Sequence, residues 1–270
     1  IEVVGPVLTP RAARRENPDF FHRAVTGSPF VALKLATSMD GRIAAKEGVR
    51  TRLTGPETRR AVHALRAACD GVVVGSTTAL VDDPRLTVRE DVPFRKHPAR
   101  VVLDGDARLE PDAALFQDVE RSPVIVFTRQ DAPEHAMEAL EAAGATVHPV
   151  PAGPGALGVD LEAVLGVCED TGLRSLLVEG GGRLARSFLA ADRVERLHLF
   201  VAPMLCGERG VPAFPGDVPP RPERWDPAEE PRLHGDDVEL VWDRPRPWSH
   251  GSPRELLWTV SEGAVDGGPG

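Results

Sequence analysis

The chain has 270 residues, of which 41% are hydrophobic and 27% charged, and its formal net charge is −9. This composition is ordinary for a globular protein, and an acidic chain without a lysine-rich run is not expected to bind nucleic acid. No segment approaches the roughly 18–20 apolar residues of a membrane span. The first residues also lack the pattern of a signal peptide, so we expect a cytoplasmic protein.

The three cysteines, Cys69, Cys168 and Cys206, lie far apart and form no CxxC pair. The eight histidines include neither an HxH nor an HExxH pattern. Spacing of this kind is typical of reduced, buried thiols and gives no zinc signature. We therefore predict no metal site.

Short apolar runs alternate with amphipathic stretches along the chain, which predicts an α/β protein with a largely parallel sheet. Strands are predicted at residues 31–36, 71–75, 100–104, 123–127, 145–150, 175–180, 196–202 and 238–242. Helices are predicted up to about residue 69 and at about 76–82, 133–143, 160–170 and 181–191. The first of these helices is expected to begin at a capping box, Thr54-Gly55-Pro56-Glu57. The proline-rich segment 205–236 is predicted to be a long loop.

The stretch LKLATSMDGRIA, residues 33–44, leads from an apolar strand into an Asp-Gly pair. Asp-Gly is typical of an ordinary tight turn. Alternatively, the strand ends at the mouth of a cleft, where Asp40 fixes the turn and Arg42 lies near an anion. The stretch alone does not separate these interpretations.

The stretch GVVVGSTTALVDDPRLTVR, residues 71–89, contains a buried strand that ends at Gly75. Three hydroxyl residues follow it at a helix start, an environment that favours anions. Asp82 and Asp83 end the short helix, and Arg89 follows in an extended segment. Ordinary capping explains the pattern, but α/β proteins also place ligands at strand–helix junctions of this kind.

Two further stretches contain candidate functional residues. On the first predicted helix Arg59 and Arg66 flank an apolar stripe, as surface arginines with buried stems commonly do. In VEGGGRLARSFL, residues 178–189, Glu179 ends a buried strand and three glycines precede a helix. This segment is either a flexible joint or a loop that admits a phosphate close to the backbone, although it matches neither the GxGxxG nor the Walker pattern.

Taken in order, four blocks resemble the reductase domain of the bifunctional riboflavin-biosynthesis deaminase/reductase family. They are LKLATSMDGRIA, TGPETRRAVHALRAACDGVVVGSTTALVDDPRLTVR, LLVEGGGRLARSFL and DRVERLHLFVAPMLCG. The resemblance implies a dihydrofolate-reductase-like α/β fold, with a central, mostly parallel mixed sheet flanked by helices, over residues 29–245. Residues 1–28 look like a linker and the remnant of an upstream deaminase-like domain without its zinc motifs, and residues 246–270 are expected to form a poorly ordered tail.

The resemblance implies reduction of the ribosyl group of 5-amino-6-(5-phosphoribosylamino)uracil to a ribityl chain, with NADPH as cofactor. Catalytic positions would be Asp82 and Glu179. Cofactor-binding positions would be Ala36, Thr78, Asp82, Gly181, Gly182, Arg183 and Leu184, and substrate-binding positions would be Arg66, Leu86, Arg89 and Glu179. The expected binding partner is this phosphorylated pyrimidine substrate. We expect no binding to nucleic acid or to a membrane, and we expect the chain to form a homodimer.

Two positions depart from the family pattern, because Arg50 and Arg52 stand where the family has a serine near the substrate and a tryptophan near the cofactor. They suggest a diverged paralogue that reduces a related glycosylamine or heterocycle. The missing deaminase half suggests another alternative, a catalytically silent nucleotide-binding domain that partners a deaminase. The intact Asp82, Arg89 and Glu179 argue against the silent domain.

Overall fold

The structure, a computed structural model, describes residues 16–49, 51–89, 91–154, 158–216 and 224–245. The strands are β1 (Phe30–Ser38), β2 (Arg42–Ala44), β3 (Gly71–Gly75), β4 (Ala99–Leu103), β5 (Val124–Arg129), β6 (Ala145–Val150), β7 (Ser175–Glu179), β8 (Arg196–Ala202), β9 (Val211–Pro212), β10 (Asp226–Pro227), β11 (Arg232–His234) and β12 (Asp237–Asp243). The helices are α1 (Pro18–Thr26), α2 (Pro56–Ala68), α3 (Ser76–Asp82), α4 (Glu134–Ala142), α5 (Leu161–Asp170) and α6 (Gly182–Ala190).

The main sheet has the order β10-β12-β8-β1-β7-β3-β4-β5-β6, and β11 also pairs with β12. The strands from β8 through β6 are parallel, and β12 is antiparallel to β8. This confirms the predicted α/β fold with a mixed, mostly parallel sheet. Since β7 lies between β1 and β3, the chain reverses its direction across the sheet at this point.

The two faces of the sheet differ in chemistry. One face forms the larger apolar core, in which Leu33 and Leu35 of β1 pack with Leu165 of α5 and Phe188 of α6. The other face is apolar over β3 to β5, where a second core cluster includes residues of α3 and α4. Over β1, β7, β8 and β12, however, this second face has buried or half-buried charged side chains. That half of the sheet therefore has the charged groups that a polar ligand requires.

The capping-box prediction is wrong. Helix α2 begins at Pro56 and its N-cap is Gly55, which has no side chain to cap with. The Asp237 side chain of β12 instead accepts the Gly55 N–H group at 2.8 Å and the Thr58 hydroxyl at 2.6 Å. A carboxylate distant in sequence thus satisfies the helix start, which local pattern cannot anticipate.

Segment 205–236 is less loop-like than predicted, because β9, β10 and β11 lie within its described part. Helix α1 lies within the stretch assigned to a linker, and Arg23 Nε lies 2.7 Å from Glu169 Oε1 of α5. The domain limits stay a prediction, and the expected tail lies outside the described residues. Of the helices in the described ranges, none combines the length and apolar character required to span a bilayer.

Candidate active site

Four parallel strands, β1, β7, β3 and β4, end at one edge of the sheet, so the segments that follow them are neighbours. Glu179 is the last residue of β7, and α3 follows β3 directly. The insertion of β7 between β1 and β3 makes this edge a topological switch point, where open α/β sheets bind ligands. The predicted site residues Ala36, Thr78 and Gly181 all belong to segments at this edge.

Arg66 and Glu179, both assigned to substrate binding, are bonded to each other. Arg66 Nε donates to Glu179 Oε1 at 2.6 Å and Arg66 Nη2 donates to Oε2 at 2.9 Å. Each side chain is only 12% exposed, so Arg66 is not the surface arginine that its helical position suggested. This bidentate pair fixes the orientation of the carboxylate.

Lys34 lies beside this pair and was missed by the sequence analysis. It is the register partner of Glu179 on β1, and its Nζ lies 5.9 Å from the centroid of the Phe200 ring. Burial lowers the pKa of the Lys34 ammonium. The Glu179 carboxylate opposes this shift, and the Arg66 cation adds to it. A lysine inside an apolar strand, in a chain with three lysines, was the available signal.

Burial alone would raise the pKa of the Glu179 carboxyl. The Arg66 and Lys34 cations outweigh burial, so the pKa of Glu179 lies below its usual range. Glu179 therefore remains a carboxylate at neutral pH and accepts hydrogen bonds. Because burial destabilises its charged form, the Lys34 ammonium releases a proton more readily than an exposed lysine does.

The segment after α3 returns to the Arg66–Glu179 pair. Leu86 is buried and has φ 53°, a left-handed conformation that redirects the chain. The Thr87 carbonyl then accepts from Arg66 Nη1 at 3.2 Å, and the Thr87 hydroxyl accepts from Arg89 Nη1 at 3.3 Å. The Arg89 backbone N–H donates to His63 Nδ1 at 3.0 Å. Arg89 is exposed, and Thr87 accepts from both Arg89 and Arg66, so Arg89 lies near the pair; its role in substrate binding stays a prediction.

Thr78 and Asp82 are half-buried on α3, while Asp83 caps its C-terminus in a left-handed conformation and accepts from Ala114 N at 2.7 Å. The two carboxylates therefore have different surroundings. Asp83 is engaged by the segment that contains Ala114, and Asp82 stays a predicted site position.

Two of the three glycines after Glu179 have separate roles. A Cβ at Gly182 would lie 2.9 Å from the carbonyl oxygens of both Pro212 and Ala213, so this glycine permits close packing of α6 against β9. At Gly181 the nearest described atom to such a Cβ is Ile43 Cδ1, at 3.9 Å. The backbone at Gly181 is thus accessible at the N-cap of α6. This arrangement fits a phosphate group, which favours helix N-termini.

Arg183 and Leu184 diverge after this turn. The Arg183 side chain is 61% exposed and its Nη2 lies 3.4 Å from Glu47 Oε1, whereas Leu184 is buried in the larger apolar core. Leu184 therefore supports the turn from beneath, and any contact that it makes with a cofactor would come from its backbone.

Asp40 connects the β1–β2 turn to the loop after β8. Its carboxylate accepts from the Ser38 hydroxyl at 2.5 Å, from Cys206 N at 3.1 Å and from Gly207 N at 2.7 Å. The Ser38 hydroxyl and these backbone N–H groups lower the pKa of Asp40 to about 2. Asp40 thus fixes the turn, as one interpretation expected, and also fixes the loop that continues into β9.

A second charged group lies on the same face of the sheet. The Glu239 carboxylate contacts His198 Nδ1 at 3.0 Å and His234 Nε2 at 2.8 Å, and Arg232 Nε lies 3.2 Å from it. Burial raises the pKa of Glu239, but the hydrogen bonds from the two histidines outweigh this and lower it to about 2. This group connects β8, β11 and β12 beside the ring of Phe200.

Of the two positions that depart from the family pattern, only Arg52 belongs to the described residues, and none of these contacts includes it. Arg52 is exposed, and Arg50 lies outside the described residues. In the ranges that the structure describes, no group of three or more His, Cys, Asp or Glu side chains is arranged to hold a metal ion.

The family model for the RibD C-terminal domain matches residues 29–230 of the chain. This chain belongs to that family. The riboflavin biosynthesis protein RibD of Aquifex aeolicus is 34% identical over 196 residues, which cover 73% of this chain and 52% of that protein. The 2,5-diamino-6-ribosylamino-4(3H)-pyrimidinone 5′-phosphate reductase of Methanothermobacter thermautotrophicus is 37% identical over 182 residues, which cover 67% of this chain and 81% of that protein.

The solved structure of Acinetobacter baumannii RibD, form 1, matches with a TM-score of 0.75 and 25% sequence identity, covering 87% of this chain and 63% of that one. The chain spans about half the length of the RibD protein of Aquifex aeolicus, 52%. The match to the RibD C-terminal domain confirms the resemblance found in the sequence and the fold that it implies.

Proposed function

We propose that this chain reduces the ribosyl group of 5-amino-6-(5-phosphoribosylamino)uracil to a ribityl chain, with NADPH as the hydride donor. The observation that carries the proposal is the half-buried Lys34–Glu179–Arg66 group at the switch point, next to the accessible backbone of Gly181. RibD C-terminal domain relatives named as reductases supply the reaction class. The substrate in the name of such a relative is a phosphorylated pyrimidine.

The reaction opens the glycosylamine to an iminium ion as the ring oxygen leaves C1′ and takes up a proton, and hydride addition at C1′ then gives the amine, so the protein mainly has to orient two partners and supply one proton. Glu179, held as a carboxylate by Arg66, accepts hydrogen bonds from the substrate. Lys34, with its lowered pKa, is the suitable proton donor for the ring oxygen that leaves C1′. Arg89, exposed beside this group, is suited to the 5′-phosphate.

The cofactor would be held along the segments after β7 and β3, through Gly181, Gly182 and Arg183 on one side and Thr78 and Asp82 on the other. NADPH supplies the hydride when bound. The accessible Gly181 backbone leaves room for a phosphate, and an added side chain there would occupy that room. Ala36 is half-buried in the last part of β1, two residues after Lys34. Its small side chain leaves space next to the Glu179 carboxylate.

The direct test follows the absorbance of NADPH while the purified chain meets the deaminated pyrimidine substrate, and identifies the product by mass. We expect NADPH oxidation matched by a product two hydrogens heavier. Glu179→Gln should lower kcat at least tenfold, because it removes the charge that orients substrate. NADPH binding without oxidation of this substrate would contradict the proposal.

A second variant tests the cofactor site separately. Gly181→Ala should fold normally, because the added methyl group meets no described atom closer than 3.9 Å, yet it should weaken NADPH binding. Gly166→Ala, on an exposed part of α5 with nothing described within 4 Å, is the matched control and should bind normally. Equal affinity in both variants would remove Gly181 from the cofactor site.

The exposed Arg52 favours a second candidate, a diverged paralogue that reduces a related glycosylamine or heterocycle. An arginine in place of an aromatic residue replaces a stacking surface with a charge. The same assay with alternative glycosylamines distinguishes the two, since the paralogue would bind NADPH and oxidise it only with another substrate. A chain that binds no nicotinamide dinucleotide would fit the silent-domain alternative.

A further inference from the structure

A separate group of charged side chains follows β4 and β5 at the same edge of the sheet. Asp106 lies between two arginines: Arg129 Nη1 is 2.8 Å from Asp106 Oδ1, and Arg108 Nε is 3.7 Å from Asp106 Oδ2. Arg108 Nη2 also donates to the Ser76 hydroxyl at 2.6 Å. We call Asp106, Arg108 and Arg129 the β4–β5 edge cluster. Through Ser76 it is connected to the first residue of α3.

The position of this cluster matches the adenosine end of a dinucleotide bound as proposed above. In a strand–helix–strand unit that binds a dinucleotide, the adenosine ribose lies at the end of the second strand. An acidic residue there accepts from the 2′-hydroxyl of NADH, whereas an arginine accommodates the 2′-phosphate of NADPH. Here β3, α3 and β4 have the same strand–helix–strand topology, and β4 lies two strand spacings, about 10 Å, from β7. The segment after β4 is therefore within reach of a cofactor that extends from Glu179.

Both arginines of the cluster are already engaged by carboxylates. Arg129 Nε lies 2.9 Å from Asp131 Oδ1, and the fully buried Asp104 lies 3.5 Å from Arg108 Nε. Among the described residues, three carboxylates thus contact two guanidinium groups. A 2′-phosphate, with a charge of about −2, would have to displace a carboxylate from an arginine and remain beside the others. A 2′-hydroxyl can donate to the 48% exposed Asp106 without such a loss.

We propose that Asp106 is a specificity-determining residue for the cofactor. Its carboxylate weakens the preference for the 2′-phosphate, so that NADH binds with an affinity comparable to that of NADPH. This inference rests on the proposed reductase function. In this proposal the Asp106 side chain determines how strongly the protein discriminates between NADPH and NADH.

The test measures the dissociation constants of NADPH and NADH by fluorescence titration of the full chain. In the wild type we expect the two constants to agree within about tenfold. Asp106→Asn, which keeps the shape and removes the charge, should shift their ratio toward NADPH by about tenfold, the size expected for one partly exposed charge near a phosphate. Asp131→Asn is the control, because Asp131 contacts the same arginine but is 79% exposed and follows β5. It should shift the ratio less than about threefold.

An unchanged ratio in Asp106→Asn, or an equal shift in both variants, would overturn the assignment of Asp106. A wild type that binds NADPH more than a hundredfold tighter than NADH would also overturn it. If the wild type binds neither dinucleotide, the proposed function itself fails, and this inference with it. Thermal unfolding of both variants verifies that a change in affinity does not reflect a loss of folded protein.

Discussion

Replacing Gly182 by alanine tests how closely α6 packs against the segment that follows β8. The new Cβ would lie 2.8 Å from Pro215 Cδ and 2.9 Å from the carbonyl oxygens of Pro212 and Ala213. Overpacking of this kind costs about 1–3 kcal/mol, and alanine at the first helical position regains at most about 0.5–1 kcal/mol. We therefore expect a net loss of about 1–2 kcal/mol, or a fall in Tm of roughly 2–8 °C for a domain of this size.

Urea and thermal unfolding of Gly182→Ala measure this loss directly. Gly166→Ala is the control, because an added methyl group there meets no described atom within 4 Å and the residue is exposed on α5. It should stabilise the protein by about 0.5–1 kcal/mol through helix propensity alone. If Gly182→Ala proves as stable as the control, the close approach of residues 212–215 to α6 is refuted.

Three other predictions follow from contacts between distant segments. Asp237→Ala should lower the free energy of unfolding by about 1–3 kcal/mol in urea titrations, because it leaves the start of α2 without its acceptor. Asp40→Ala should raise the susceptibility of the loop after β8 to limited proteolysis, since two backbone N–H groups lose their partner; an unchanged cleavage pattern would contradict this. Since Glu239 has a lowered folded-state pKa of about 2 against an ordinary 4.5, its stabilisation is present above pH 4.5 and is lost as pH falls toward 2. Glu239→Gln should therefore flatten the acid limb of the stability–pH curve, and an unaltered limb would exclude this role.

The secondary structure was largely accessible from the sequence because most strands here are buried on both faces and read as continuous apolar runs. The predicted 71–75 and 196–202 strands coincide with β3 and β8, and the predicted 76–82 helix coincides with α3. The start of α2 was misplaced for a physical reason. Local pattern treats Thr54 as the cap, whereas the acceptor is Asp237, which only the tertiary fold brings to that position.

The site was only partly accessible. Glu179 and Arg66 were found as members of a pattern, but their mutual bond depends on the packing of α2 over β7 and has no trace in either stretch. Lys34 was overlooked because a charged residue in an apolar strand reads locally as an irregularity. Its importance appears only when the register places it opposite Glu179. Sequence pattern thus identified candidate residues, and the sheet order determined which of them meet.

The insertion of β7 between β1 and β3 has a consequence for the order of folding. Strands β3 to β6 can pair with one another early, since each follows its neighbour along the chain. β1 must wait for β7, which is synthesised after all of them, and this pairing is among the most distant in the sheet. Closure of such a long loop is slow compared with local pairing. On the ribosome, the nascent chain therefore cannot form the Lys34–Glu179 pair until β7 has emerged, and β8 and β12 complete the sheet only after that.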